Sequence, residues 1–251
     1  MKKVLFIIGN LESGGVSKSL VSLLWEFDYD KYEVDLFIMN PVGVHMNSLP
    51  EQLNIITYEQ CSNLLQLPLR SLKCLLKNKR ITLFFAKFLQ LSISYFSKAY
   101  GALFLSKLFP RHNKIYDLAI DFNGQQQLYY MVDKIKARKK VTFFHSDYSK
   151  WSYYFKTDKV YFNKVDNIFS ISDLCVKTLK DTFPKVSKKI GLMENISSLD
   201  LIDNLKSDPK ISLPESFIKI NDLNFVTVGH VSKAKGTDLA IETAILLKEQ
   251  G

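Results

Sequence analysis

Two glycine-containing turns of the chain have the residue types that bind phosphate. Gly14 and Gly15 separate the apolar run VLFII from the amphipathic segment VSKSLVSLL, so N–H groups at the start of a helix would face an anion. Gly229 and His230 end a second apolar run, and Lys235 follows shortly before another amphipathic segment. A lysine near a helix start suits a diphosphate, because it adds a compact charge to the N–H donors. The first turn matches neither GxGxxG nor the P-loop, so a tight turn without a ligand remains an alternative.

A histidine at the end of a strand is the candidate for catalysis. His145 closes the apolar run VTFF, where an imidazole can hydrogen-bond a phosphate or a hydroxyl and titrates near neutral pH. The alternative is a structural histidine that is satisfied inside the fold. The four histidines show no short-range pairing and the three cysteines form no CxxC. We therefore expect no metal site and no cofactor.

The positive charge of the chain is local. The net charge is +9, from 34 Lys and Arg against 25 Asp and Glu, yet no acid occurs from Gln60 to Tyr116. On one helical wheel, at about 100° per residue, six cations of this segment fall within an arc of about 100°. These cations are Arg70, Lys73, Lys77, Arg80, Lys87 and Lys98. Apolar residues cover much of the remaining wheel, which predicts a basic amphipathic helical region over 66–111.

This basic region suits the surface of an anionic membrane, where each nearby cation contributes about 1 kcal/mol and apolar side chains enter the headgroup boundary. Two alternatives remain: an ordinary solvated face, or a nucleic-acid surface. We expect no nucleic-acid partner, because the intervening residues are core-type leucines and phenylalanines and no nucleic-acid motif occurs. The longest uncharged piece, 88–97, has ten residues, against about twenty for a membrane span.

Cysteine content and the N-terminal residues indicate the compartment. Cys61, Cys74 and Cys175 are an odd set without disulfide spacing, which favours a reducing environment. The apolar run Val4–Ile8 is five residues long, shorter than the about seven that a signal peptide needs. We therefore expect a cytoplasmic protein, peripheral on the inner face of the cell membrane.

Apolar runs that alternate with helical segments predict an α/β fold built on a doubly wound parallel sheet. In such a sheet ligands bind beyond the carboxyl ends of the strands, where Gly14, Gly15 and His145 stand. At another strand end, Ser172 or Asp173 is expected to cap the next helix. The predicted elements are strands over 4–8, 32–39, 54–57, 116–122, 139–145 and 167–172, a first helix over 17–25, and a last strand and helix over 225–251.

Five segments, in this order, resemble the family four glycosyltransferases of the GT-B fold, bacterial retaining enzymes with two Rossmann-like halves. They are VLFIIGNLESGGVSKSLVSLL with KYEVDLFIM, FFHSDYSKW, FSISDLCVKTLKDTFP, the segment around MENIS, and FVTVGHVSKAKGTDLAIETAILLKEQG. The resemblance implies a retaining transfer of a hexose from a nucleotide sugar to an acceptor. Cations, rather than a metal, would stabilise the leaving diphosphate. The expected acceptor is a lipid-linked glycan of cell-surface polysaccharide assembly.

The resemblance also implies roles for single residues. Gly14 and Gly15 match the family's glycine loop near the donor phosphates, and His145 matches its cleft histidine. Lys235 matches the lysine that holds the donor diphosphate. His230 stands where the family has arginine, and an imidazole that is neutral at pH 7 is a weaker phosphate ligand.

One further motif is a formal match to the metal-binding DxD of the other glycosyltransferase fold. Asp28, Tyr29 and Asp30 form it. The motif falls between the first helix and the second strand, on the side away from the strand ends that bind ligands. We interpret it as a loop.

The resemblance divides the chain into three parts. These are an N-terminal Rossmann-like acceptor-side domain over 1–200, a linker over 201–222, and the start of a C-terminal nucleotide-sugar-binding domain over 223–251. The family's paired glutamates would lie beyond Gly251, so we expect activity to be incomplete in this chain. A second hypothesis is a non-catalytic acceptor- and membrane-binding half of a split or decayed enzyme, whose donor domain is a separate chain.

Overall fold

The computed structural model describes residues 1–206, 227–229 and 231–249. The chain divides into two units, Met1–Lys206 and Ser207–Gly251. The strands of the first unit are β1 Lys2–Ile8, β2 Tyr32–Ile38, β3 Asn54–Ile56, β4 Ile115–Asp121, β5 Lys136–Phe144, β6 Asn167–Ser170 and β7 Ile190–Leu192. They form one sheet in the order β3-β2-β1-β4-β5-β6-β7, and all six pairings are parallel.

Nine helices accompany this sheet in the described part of the first unit. They are α1 Gly15–Trp25, α2 Glu59–Leu65, α3 Pro68–Lys77, α4 Ile81–Phe96, α5 Lys98–Leu108, α6 Gln126–Lys134, α7 Phe155–Phe162, α8 Asp173–Thr182 and α9 Leu199–Lys206. Short 3₁₀ helices occupy Val44–Ser48, Tyr148–Tyr154 and Pro184–Lys189. The second unit contributes the 3₁₀ helix Lys233–Lys235 and α10 Thr237–Glu249.

Both faces of the sheet are covered. Side chains alternate between the two faces along a strand. In β1, Val4 and Phe6 pack into one apolar cluster with α1 and α9. Leu5 and Ile7 pack into a second cluster, on the other face, with α2, α3 and α5–α8. Burial on both sides explains why the strands read as continuous apolar runs. The predicted doubly wound α/β sheet is confirmed.

The sheet has a topological switch point at β1. The chain runs outward from β1 to β2 and β3, and then returns to place β4 on the other side of β1. In open α/β sheets the crevice at such a point, beyond the carboxyl ends of the strands, is where ligands bind. The topology therefore predicts a ligand site at the carboxyl ends of β1 and β4.

Most predicted elements of the first unit are confirmed with shifts of a few residues at their ends. The predicted cap is also confirmed: the Ser172 hydroxyl accepts a hydrogen bond from the Cys175 N–H at the start of α8. The strand β7 was not predicted, since three residues are too few to show a pattern. Residues 201–206, expected in the linker, lie in α9, whose Leu201 is buried in the α1-side cluster.

The region predicted over 66–111 is helical, but it is not one helix. Breaks separate α3 from α4 and α4 from α5; Lys79 has a positive φ of 53°, and Ser97 has an extended backbone. Cations on different helices do not share an axis, so the single wheel that grouped six of them does not apply. Their surroundings follow from tertiary packing instead.

The helix predicted near the end of the chain is confirmed as α10. Gly236 precedes it with φ of 66°, a left-handed conformation that favours glycine. Of the strand predicted over 225–229, residues 225 and 226 lie outside the described residues, and 227–229 are not in a strand.

Candidate functional site

A small polar cavity lies at the switch point, between the carboxyl ends of β1 and β4. Its volume is about 170 Å³, and it is lined by Ile8, Gly9, Asn10, Val16, Ser17, Asn123 and Gln127. Gln127, on α6, approaches β1 closely because Gly9 has no side chain: a Cβ there would lie 2.7 Å from Gln127 Nε2. Amide and hydroxyl side chains suit a ligand rich in hydroxyls or phosphate oxygens.

The predicted glycine turn forms the start of α1 beside this cavity. Gly14 is the N-cap of α1 and Gly15 its first residue, and no side chain caps the helix. Neither position requires glycine for the fold. Within the described residues, no atom lies within 4 Å of a Cβ built at either position, and neither has a left-handed φ. The turn therefore presents uncovered backbone at a helix N-terminus, as a closely approaching anion requires.

His145 lies at the same edge and on the same face of the sheet as α1. It directly follows β5, and its ring packs against Phe122 and Phe143 at centroid distances of 4.7 and 5.8 Å. Both phenylalanines belong to the cluster that contains α1 residues. The sheet thus places two features that are 130 residues apart in the sequence on one edge and one face.

The imidazole of His145 has buried ring nitrogens, and neither meets the distance and angle of a hydrogen bond with the described residues. Burial lowers the pKa of His145 from 6.5 to about 4, and the contact of the ring with the Phe122 backbone opposes this in part. The ring is therefore neutral at pH 7, and it offers one donor and one acceptor. Buried polar atoms are nearly always hydrogen-bonded, so these nitrogens mark a place for a polar ligand or water.

Asp121, the last residue of β4, fixes the loop that supplies Asn123 to the cavity. Its carboxylate accepts hydrogen bonds from the N–H groups of Asn123 and Gly124 at 3.1 and 3.0 Å, and from the Thr142 hydroxyl at 2.6 Å. Burial raises the pKa of Asp121 to about 7, although these hydrogen bonds favour the charged form. The sequence reasoning missed Asp121; an acid at the end of the apolar run DLAIDF was the available signal.

A second buried carboxylate, Asp158 on α7, supports the segment that follows His145. It accepts hydrogen bonds from the phenols of Tyr129 and Tyr148 at 2.6 and 2.7 Å. Burial raises the pKa of Asp158 to about 6, and the two phenols partly offset this. The sequence carried no signal for this cluster, because its three members lie in separate segments.

The MENIS segment passes over α1 on the His145 side of the sheet. Asn195 Oδ1 accepts a hydrogen bond from the Ser19 hydroxyl at 2.8 Å, and the Met193 N–H donates to the Ser170 carbonyl at 2.9 Å. Together with Glu194 and Ile196, these two residues line a small crevice beside Phe122 and Phe143. The segment thus borders the same face as His145.

The cations predicted for phosphate binding belong to the second unit. Lys235 is exposed and lies in the 3₁₀ turn just before α10, as the sequence predicted. Its role toward a diphosphate stays a prediction. His230 lies outside the described residues.

Among the six cations expected at a membrane, Lys87 requires a correction. Its side chain is 5% exposed and its Nζ donates to Gln90 Oε1 at 2.8 Å. Burial lowers the pKa of Lys87 to about 8. A side chain packed inside the helices does not reach a lipid headgroup. Arg80 is partly buried, 3.6 Å from the Glu59 carboxylate. The exposed members are Arg70, Lys73, Lys77 and Lys98.

The formal DxD match lies in the turn before β2. Asp28 of the DxD match pairs with Lys31 at 2.6 Å in the turn before β2, which confirms the interpretation as a loop. In the described ranges, no three or more His, Cys, Asp or Glu side chains lie together. No helix in the same ranges is long and apolar enough to cross a membrane.

Two larger clefts lie elsewhere on the first unit. One of about 440 Å³ lies beside Trp25 and Asp200, and another of about 540 Å³ lies beside Lys2 and Arg138 at the amino edge of the sheet. Neither is lined by residues that follow the carboxyl ends of β1 and β4. We therefore assign the candidate site to the smaller cavity at that edge, where parallel sheets bind ligands.

Fold and site together define a doubly wound α/β protein with a polar crevice at its switch point. No protein-family model matches the chain, and no curated protein matches it. One similar solved structure is that of HepE (Alr3699) from Anabaena, in complex with UDP-glucose. The match has a TM-score of 0.41 and 14% identity, and it covers 82% of this chain and 49% of the HepE chain. The chain thus spans about half the length of this neighbour.

Proposed function

We propose that this chain acts in a nucleotide-sugar-dependent glycosyltransferase of the GT-B type, with its first unit as the acceptor-side domain. One observation carries the proposal. An uncovered glycine turn at the start of α1 and the unpartnered imidazole of His145 share the carboxyl edge and one face of a parallel sheet, next to its switch point. The ordered family four segments of the sequence support the same function.

The proposed reaction is a retaining sugar transfer. The bond between the anomeric carbon and the diphosphate oxygen breaks, and the acceptor hydroxyl oxygen bonds to the same face of that carbon. The acceptor proton passes to the departing diphosphate. N–H groups near Gly14 and Gly15 would stabilise the negative charge that develops.

His145 has a specific part in this reaction. Because its ring is neutral at pH 7, it adds no positive charge to a phosphate. It would instead form a hydrogen bond with a hydroxyl of the transferred sugar through one ring nitrogen and so orient the anomeric carbon. That buried nitrogen has no well-placed partner in the described residues and would gain one when the hydroxyl binds.

The finer parts of the proposal concern the acceptor and location. The proposed acceptor is a lipid-linked glycan of cell-surface polysaccharide assembly at the inner membrane face. The basic segment from Gln60 to Tyr116, which has no acidic residue, supports such a location. The transferred group would be a hexose. The family four assignment and retention rest on the sequence segments alone.

The proposal is tested by ligand binding and by transfer. The imidazole nitrogens of His145 are followed by NMR while UDP-, GDP- and ADP-hexoses are added, and transfer of labelled hexose to a bacterial lipid extract is measured in parallel. One donor should shift the His145 signals, and His145→Ala should weaken its binding about tenfold or more. His112→Gln, at the amino edge of the sheet, is the matched control. If no nucleotide sugar binds, or if His145→Ala binds as well as the control, the proposal is wrong.

A second candidate function is the acceptor- and membrane-binding half of a split or decayed enzyme. Within the described residues, α10 buries none of its side chains. Its exposed apolar residues are Leu239, Ile241, Ile245, Leu246 and Leu247. Such a helix gains stability from a further covering surface, in this chain or another. A chain that binds the lipid-linked acceptor but no nucleotide sugar would favour this candidate.

A further inference from the structure

Helix α4 exposes a broad apolar face, interrupted by Ser92. Taking about 100° per residue, its large exposed apolar residues fall within an arc of about 120°. These are Ile81, Phe85, Phe88, Leu89, Tyr95 and Phe96, all more than half exposed, with Tyr95 at 87% and Phe96 at 86%. Single exposed apolar residues are ordinary, but a contiguous apolar face marks an interaction surface.

The inward side of the same helix combines Leu83 and Phe84, which pack against the core, with three polar residues. Lys87 Nζ donates to Gln90 Oε1 at 2.8 Å, and Gln90 Nε2 donates to the Ser94 hydroxyl at 2.6 Å. Ser94 also packs tightly on α5, because a Cβ at Gly101 would lie 1.9 Å from Ser94 Oγ. These contacts fix the rotation of α4, so the outward apolar face is part of the packed structure.

Cations lie next to this apolar face. Helix α3, which packs against α4, exposes Arg70, Lys73 and Lys77. Lys79 is exposed in the connection between the two helices. The segment from Gln60 to Tyr116 contributes only cations to this surface, and the neighbouring Glu59 pairs with Arg80 at 3.6 Å. A second copy of the chain would bring a like-charged surface against it, whereas an anionic bilayer has the opposite charge.

We propose that α4 lies in the headgroup boundary of an anionic membrane, with its outward aromatic and aliphatic residues in the lipid and the cations of α3 at the phosphates. The apolar residues supply the burial and the cations supply the attraction, as in interfacial helices. This surface differs from the six-cation stripe of the sequence analysis, because Lys87 has no part in it. The proposal does not depend on sugar transfer.

The test is sedimentation of the full chain with vesicles of phosphatidylcholine, with and without phosphatidylglycerol, at low and high salt. Binding should need phosphatidylglycerol and weaken with salt. Phe85→Gln with Phe88→Gln should reduce it about hundredfold. The control pair Val160→Gln with Leu174→Gln, on exposed apolar residues of α7 and α8, should not reduce it.

Charge variants separate the two contributions. Arg70→Gln, Lys73→Gln and Lys77→Gln together should weaken binding about hundredfold at low salt. The control triple, Lys180→Gln with Lys185→Gln and Lys188→Gln, and the buried-site variant Lys87→Met should bind as the parent does. Circular dichroism confirms that each variant is folded.

Two outcomes would overturn the proposal. The first is vesicle binding that is unchanged by the Phe85 and Phe88 substitutions, or equally strong without anionic lipid. The second is a lipid-free dimer, seen by sedimentation velocity, that the same substitutions dissociate. In that case a second copy covers α4.

Discussion

The buried imidazole of His145 should make the stability of the first unit depend on pH in a defined way. Burial lowers the pKa of His145 from 6.5 to about 4. Since the folded-state pKa is the lower one, the unfolded chain binds more protons between these values, and stability is lost as pH falls through this window. The difference of about 2.5 corresponds to about 3 kcal/mol in full, at 1.36 kcal/mol per pKa unit, and to about 2 kcal/mol at pH 5.

The perturbation is His145→Phe, which keeps an aromatic ring between Phe122 and Phe143 and removes the titration. At pH 7.5 the variant should be at least as stable as the parent, because it also removes two unpartnered nitrogens. At pH 5 the variant should gain about a further 2 kcal/mol over the parent. Asp121 and Asp158, whose raised pKa values favour the folded state at low pH, act in both proteins and cancel in the difference.

The assay is urea unfolding followed by tryptophan fluorescence at the two pH values. Both tryptophans, Trp25 and Trp151, belong to the first unit, so the signal reports on that unit. The measured quantity is the difference in unfolding free energy between parent and variant. If this difference is the same at pH 7.5 and pH 5, His145 is not a buried neutral imidazole, and the argument for its part in the site is refuted.

Four further substitutions test the surroundings of single residues. Gly43→Ala should destabilise the protein by about 3 kcal/mol or more in thermal unfolding. The reason is that Gly43 has φ of 127° and that a Cβ there would lie 1.9 Å from the Leu11 backbone. Gly14→Ala, in contrast, should leave the melting temperature unchanged and weaken only anion binding. Lys114→Met should cost about 3 kcal/mol at neutral pH by leaving buried Asp35 without its ion pair at 2.6 Å. Burial opposes ionisation of Asp35, but the hydrogen bonds to its carboxylate outweigh burial and lower the pKa. Acid protonates Asp35 and removes the ion pair, so the loss of unfolding free energy caused by Lys114→Met, measured by urea unfolding, should become smaller as the pH falls. Gly101→Ala should force α4 from α5 and cost about 2 kcal/mol in the same assay; an unchanged stability would contradict that packing.

Local pattern was sufficient for much of the architecture. The runs VLFII, YDLAIDF and VTFF are apolar because both faces of the sheet are covered, and each is a strand in the structure. The glycine turn was also predictable from the local sequence, because Gly14 and Gly15 separate a strand pattern from a helix pattern. The cap at Ser172 needed only its neighbour Cys175. Each of these features depends on residues that are close in sequence.

The sequence by itself therefore determined the class of fold and pointed to the edge of the sheet where the candidate site lies. Tertiary structure alone decided the rest. A wheel placed Lys87 among exposed cations, yet packing on α5 turned it inward and turned Phe85 and Phe88 outward. The cluster around Asp158 likewise joins three separate segments. Periodicity records which side chains share a face of a helix, but only the packing of distant segments fixes which face is buried.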